Sequence, residues 1–224
     1  MSNQNLKKPY AMFFDWDGTL VDSFSFLEQA HNDVLGKFGM PLFEKGGFKQ
    51  YFGKPREEIY PAIYADRAEE ARGLFEDFVI NNHKTLLEPM DGAYELLQTI
   101  HDLGIKIGVV SNKKSEFVNA EINHLGWRSF LVSVVGAREA EQDKPSPTPL
   151  ILALKRAEID GPIEDIWYVG DTIIDQKCAE NAGSPFVYIN HEGEVGNDIL
   201  KTEPDVVADN CFALSDFMLQ YSGN

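Results

Sequence analysis

Four acids, a hydroxyl and a lysine stand out by type and spacing. Asp15 and Asp17 lie two residues apart, Ser111 is followed by Asn112, Lys144 stands between two polar stretches, and Asp171 precedes Asp175 by four residues. Most of them fall where a strand-like segment ends, and open parallel sheets bind their ligands at the carboxyl ends of strands. Crowded carboxylates repel one another and are costly unless something neutralises them. A hard divalent cation does this, and Mg²⁺ prefers carboxylate oxygens together with water and phosphate. The cation and Lys144 would reverse the local sign in a chain of formal net charge −16, which otherwise repels any phosphorylated molecule.

The elements that must position these residues are legible in the pattern. Tyr10–Trp16 is short, apolar and stopped by Asp-Gly, which predicts a buried strand. Residues 24–38 have apolar positions at helical spacing, and Gly39 with Pro41 ends them. Residues 42–88 have helical character and no convincing strand. Beyond Pro89 the character alternates. The spacing predicts helices at 92–104, 114–126, 146–159, 175–183 and 212–221, and strands at 105–112, 129–136, 166–171 and 185–190, with a short edge strand at 205–209. Strands alternating with helices imply a parallel sheet covered on both faces. The expected fold is therefore α/β: a three-layer Rossmann-like core with a mainly parallel sheet, formed by residues 1–21 and 89–224, carrying a small inserted α-helical domain at 22–88.

The stretch Asp15-Trp16-Asp17-Gly18-Thr19-Leu20-Val21-Asp22-Ser23 resembles the first motif of the haloacid dehalogenase superfamily. Val110-Ser111-Asn112 resembles the second, Lys144-Pro145-Ser146-Pro147 the third, and Gly170-Asp171-Thr172 with Asp175 the fourth. Asn181-Ala182-Gly183 after it also fits. One DxDGT arises readily in an acidic chain; four motifs in order are far more specific. The likeness runs from residue 12 to about 190 and includes the insert, which sits where this family places a helical cap.

The resemblance implies roles that agree with what these residue types can do. Asp15 would be the nucleophile, forming an aspartyl-phosphate. Asp17 would protonate the leaving oxygen and later deprotonate the attacking water. Mg²⁺ would be held by Asp15, the Asp17 main-chain carbonyl, Asp171 and Asp175. Ser111 and Asn112 would contact the phosphoryl group, and Lys144 would bridge it to Asp15 as a compact point charge. In the cap, Tyr51-Phe52-Gly53-Lys54-Pro55-Arg56 resembles the loop that closes on substrate, so Gly53, Lys54 and Arg56 are candidate substrate contacts. Phe75 and Phe78 read as cap core.

An acid at position 17 argues for phosphate-ester chemistry within the superfamily: the dehalogenase branch usually lacks it, and the phosphonate-cleaving branch has a small residue there. The expected activity is a Mg²⁺-dependent phosphatase of a small phosphorylated metabolite, phosphoglycolate-like or a sugar phosphate. The phosphoglycolate phosphatase branch has very similar DGTLVDS and KPxPxPL signatures. A sugar phosphomutase, or a non-catalytic binding or regulatory member, are the alternatives.

Composition narrows the rest. With 224 residues, 43% of them hydrophobic, the chain can bury a substantial core. The acidic balance makes nucleic acid and anionic membranes poor partners. No run of about 18 uncharged apolar residues is present, and no basic segment precedes an apolar one near residue 1, so a cytoplasmic location is expected. Cys178 and Cys211 read as reduced packing residues. His31, His83, His101, His124 and His191 lack metal-ligand spacing. A monomer or a homodimer is compatible with all of this.

Overall fold

A computed structural model of the protein describes residues 6–51, 56–191 and 202–221. The chain divides into two compact units, Met1–Val21 with Pro89–Asn224, and Asp22–Glu88. In chain order the first elements are β1 (Ala11–Phe14), β2 (Val21–Asp22), α1 (Ser23–Lys37), α2 (Arg56–Tyr64), α3 (Ala68–Asn82) and β3 (Glu88–Pro89). There follow α4 (Ala93–Asp102), β4 (Lys106–Lys114), α5 (Ser115–Leu125), β5 (Leu131–Ala137), α6 (Thr148–Arg156) and β6 (Ile166–Gly170). The last are α7 (Ile173–Ala182), β7 (Phe186–Ile189), β8 (Val206–Ala208) and α8 (Cys211–Leu219).

Six strands of the first unit form one parallel sheet in the order β5-β4-β1-β6-β7-β8. β1 lies inside it: Ala11 to Phe14 pair with Lys106 to Val109 on one side and with Ile166 to Val169 on the other. Its four residues are all buried, as a strand covered on both faces requires. Ala11, Phe13, Ile166 and Tyr168 pack with Leu150 and Ala153 of α6 and Cys178 and Ala179 of α7. Trp167, facing the opposite way along β6, meets the rings of Phe217 and Tyr221. The unit is thus a three-layer, Rossmann-like α/β fold. Cys178 and Cys211 are both buried and free.

Element boundaries differ from the sequence expectation at three places that matter to the site. β4 continues past Asn112 to Lys114, with an irregularity in its pairing to β5 between Val110 and Lys114. β5 presents Gly136 to the start of α5, where a Cβ would lie 2.4 Å from Ser115 Cα. α6 starts at Thr148 and not at Ser146, since Pro147 takes the cap position. α7 starts at Ile173, two residues before Asp175, with Thr172 as its N-cap.

The second unit is helical, apart from the pairing of β2 with β3 at its two ends, which the sequence did not announce. Ala30, Val34 and Leu35 of α1, Tyr60 and Tyr64 of α2, and Ala71 and Phe75 of α3 share one buried cluster, with Phe78 packed against it. His31 sits inside it, its Nδ1 2.7 Å from the Tyr64 hydroxyl. Among the described residues no helix is long and apolar enough to cross a membrane.

Candidate active site

β1 and β6 deliver the first acids. The Asp15 N–H donates to Val169 O at 2.9 Å, extending the pairing of the two strands by one residue. The chain then turns back: the N–H groups of Leu20 and Val21 both donate to Trp16 O, and that of Gly18 donates to Val21 O. Gly18 has φ +79°, the left-handed region that glycine occupies without penalty. Thr19 sits under the turn, and its hydroxyl donates to Asp171 Oδ1 at 2.7 Å.

Lys144 occupies the centre. It is buried, with Nζ 2.6 Å from Asp15 Oδ1 and 2.7 Å from Asp175 Oδ1. Burial works against its charge, but Asp15 and Asp175 outweigh it and hold the ammonium well above the ordinary lysine range. Asp175 is engaged at both oxygens: Oδ2 accepts from the Thr172 N–H at 3.0 Å and from its hydroxyl. Asp175 and Thr172 therefore form a capping box at the start of α7. The same carboxylate shapes a helix end and fixes the lysine.

One ammonium does not balance these acids. Burial raises the Asp15 carboxyl from its ordinary value of 3.8; Lys144 lowers it, Asp175 and Asp17 raise it further, and it comes to about 7. Asp171 is pushed well above the carboxylate range by burial, then by Asp175 and Asp15. Asp15, Asp171 and Asp175 each offer one oxygen within 4.8 Å of the others. An all-oxygen set of crowded, under-neutralised carboxylates fits a hard divalent cation of the Mg²⁺ kind.

Ser111 is buried at the end of the apolar part of β4, and its Oγ accepts from the Lys113 N–H at 3.1 Å. Asn112 is tied to the main chain of Lys144. Its Nδ2 donates to Lys144 O at 2.9 Å and its Oδ1 accepts from the Lys144 N–H at 3.0 Å. These two bonds fasten the side chain to the Lys144 loop and leave one amide N–H and one carbonyl lone pair of Asn112 for other partners. Asn181 adds a further tie, donating from Nδ2 to Pro145 O. Gly53 and Lys54 lie outside the described residues, as does the side chain of Arg56.

Three residues that sequence reasoning passed over join the site. Lys113 Nζ lies 3.0 Å from Asp17 Oδ1 and 2.9 Å from Glu121 Oε2. Glu121 Oε2 also accepts from Trp16 Nε1 at 2.7 Å. The available signal was an acid on the inward face of α5, between the buried Val118 and Ile122.

The profile of the haloacid dehalogenase-like hydrolases matches residues 12–189. The chain is 29% identical to a phosphoglycolate phosphatase of Vibrio vulnificus, over 98% of this chain and 99% of that one. It is also 29% identical to pyrophosphatase PpaX of Bacillus velezensis, over 80% and 82% of the two chains. Among solved structures, a HAD-superfamily hydrolase of Ehrlichia chaffeensis superposes with a TM-score of 0.67 at 25% identity, covering 98% of this chain and 100% of that one.

Proposed function

Because the chain belongs to the haloacid dehalogenase-like hydrolase family, we propose that it is a Mg²⁺-dependent phosphoric monoester hydrolase of small phosphorylated metabolites, working through an aspartyl-phosphate. The observation that carries the reading is the placement of Lys144 between Asp15 and Asp175, 2.6 and 2.7 Å away, with Asp171 beside them. An ammonium and a hard cation gathered on one carboxylate suit a phosphoryl group, whose transfer depends on positioned positive charge more than on nucleophile strength.

In this scheme an Asp15 carboxylate oxygen attacks phosphorus and the bond to the leaving oxygen breaks, with Asp17 supplying the proton. Water then attacks the phosphorus of the aspartyl-phosphate, Asp17 takes its proton, and the Asp15–phosphate bond breaks. Asp15 must be ionised to attack, and its raised pKa means that Lys144 alone does not secure this near neutrality. Asp15, the Asp17 main-chain carbonyl, Asp171 and Asp175 would hold Mg²⁺, which supplies positive charge next to the phosphoryl oxygens. Ser111 donates to one of those oxygens from its hydroxyl. Asn112 contacts the phosphoryl group as well, and its amide steadies the Lys144 loop.

Residues 22–88 act as the cap of this core, with Gly53, Lys54 and Arg56 as its substrate contacts. The relatives named phosphoglycolate phosphatase and pyrophosphatase support a compact, highly charged substrate. The protein works in the cytoplasm as a monomer or homodimer. Turnover of p-nitrophenyl phosphate with and without Mg²⁺, followed by a panel of phosphoglycolate, pyrophosphate and sugar phosphates, tests the reading. Metal-dependent release of phosphate is expected; folded protein inert on every one of these compounds refutes it.

A further inference from the structure

The Asp17 side chain, the proton donor of this scheme, is about a third exposed at the start of the turn after β1. Lys113 bonds to Asp17 Oδ1, and Glu121, only 1% exposed, bonds to Lys113. A carboxylate buried on the inner face of α5 is costly, and an apolar residue of similar volume at such a position is often neutral or stabilising. Two partners of Glu121 Oε2 lead to the same place. One is the indole N–H of Trp16, the residue between Asp15 and Asp17; the other is the ammonium on Asp17 itself. The Trp16 ring is fully buried and meets Trp127 edge-on at 5.8 Å, so Glu121 is anchored on a rigid side. The main-chain N–H of Lys113 also bonds to Ser111 Oγ. A chain of contacts thus runs from α5 to the proton donor and to the phosphate-binding hydroxyl.

We propose that Glu121, acting through Lys113 and Trp16, is a positioning residue for the general acid: it fixes the Asp17 carboxyl with Oδ1 as acceptor toward Lys113, leaving Oδ2 to carry the proton delivered to the leaving group. The proposal rests on the phosphatase reading. It predicts that the brace matters in proportion to how much the leaving group needs a proton. p-Nitrophenolate departs without one, whereas an alkoxide does not.

The test is kcat/KM, which reports the steps up to departure of the leaving group, for p-nitrophenyl phosphate and for the best alkyl phosphate of the panel. Glu121→Gln keeps shape and removes charge. The double variant Lys113→Met/Glu121→Gln removes the brace with no buried charge stranded, and thermal melting checks that each is folded. The loss on the alkyl phosphate should exceed the loss on the aryl phosphate by about 10- to 100-fold, a part of the roughly 100- to 10,000-fold that general acid catalysis contributes. Equal losses on the two substrates, as a merely structural role would give, or no loss on the alkyl phosphate, overturn the positioning role while leaving the phosphatase standing. Wild-type protein inactive on both esters would instead fell the phosphatase reading and the proposal with it.

Discussion

A Cβ placed on Gly18 would lie 2.4 Å from Asp171 Oδ2. The glycine of the first motif is therefore what lets the acid that follows β6 come up against the turn after β1, over and above its φ of +79°. Gly18→Ala should displace Asp171 and strain the turn together. We expect turnover to fall by about two orders of magnitude, as for a misplaced catalytic group, with the requirement for Mg²⁺ shifted to higher concentration. A metal titration of activity checks this; an unchanged midpoint would count against Asp171 as a metal-holding residue.

Lys144→Met should strand two carboxylates, Asp15 and Asp175, that now share its ammonium. Breaking a buried pair from one side costs about 3–5 kcal/mol. Denaturant unfolding without metal should show a loss of that order. Mg²⁺ should recover part of it, and no phosphatase activity should return with it.

The metal-free protein should lose stability as pH rises through the acidic range. Unfolded, Asp15 ionises near 3.8; folded, near about 7. Between these values the folded chain keeps a proton that the unfolded chain has released, so raising the pH favours unfolding. The penalty is complete above the higher value. A cation binds the ionised form and relieves it. The gain in melting temperature on adding Mg²⁺ should accordingly be larger at about pH 8 than at about pH 5, measured against the same buffers with a chelator.

Asp15→Asn should abolish turnover of every ester, since an amide cannot form the acyl phosphate. It should also raise metal-free stability, because it removes a charge that burial, Asp175 and Asp17 together disfavour more than Lys144 favours it. Opposite signs for activity and stability in one variant separate a functional carboxylate from a structural one; thermal melts alongside the p-nitrophenyl phosphate assay read both.

The strands were legible because apolar runs such as Ala11–Phe14 and Ile166–Gly170 are bounded by Asp-Gly and Gly-Asp, and the acids that follow them mark the edge of the sheet. The start of α7 was less legible. Ile173 and Ile174 continue the look of a strand, and the cap that ends it depends on Thr172 and Asp175 exchanging bonds across one turn. β2 and β3, two residues each, are too short to leave a pattern. In the site, Asp15, Asp17, Lys144, Asp171 and Asp175 were visible as residue types. The use of Asn112 on the Lys144 main chain, and of Glu121 on Lys113, was not, because each spans separate segments whose meeting is decided by packing.

The reciprocal pair of hydrogen bonds between the Asn112 amide and the Lys144 main chain has a consequence for how binding free energy is used. The loop bearing the ammonium takes its shape from the fold, before any ester arrives. Little of an incoming molecule's affinity is then consumed in ordering that loop, and more of it remains for steadying the charge that builds up as the ester bond breaks.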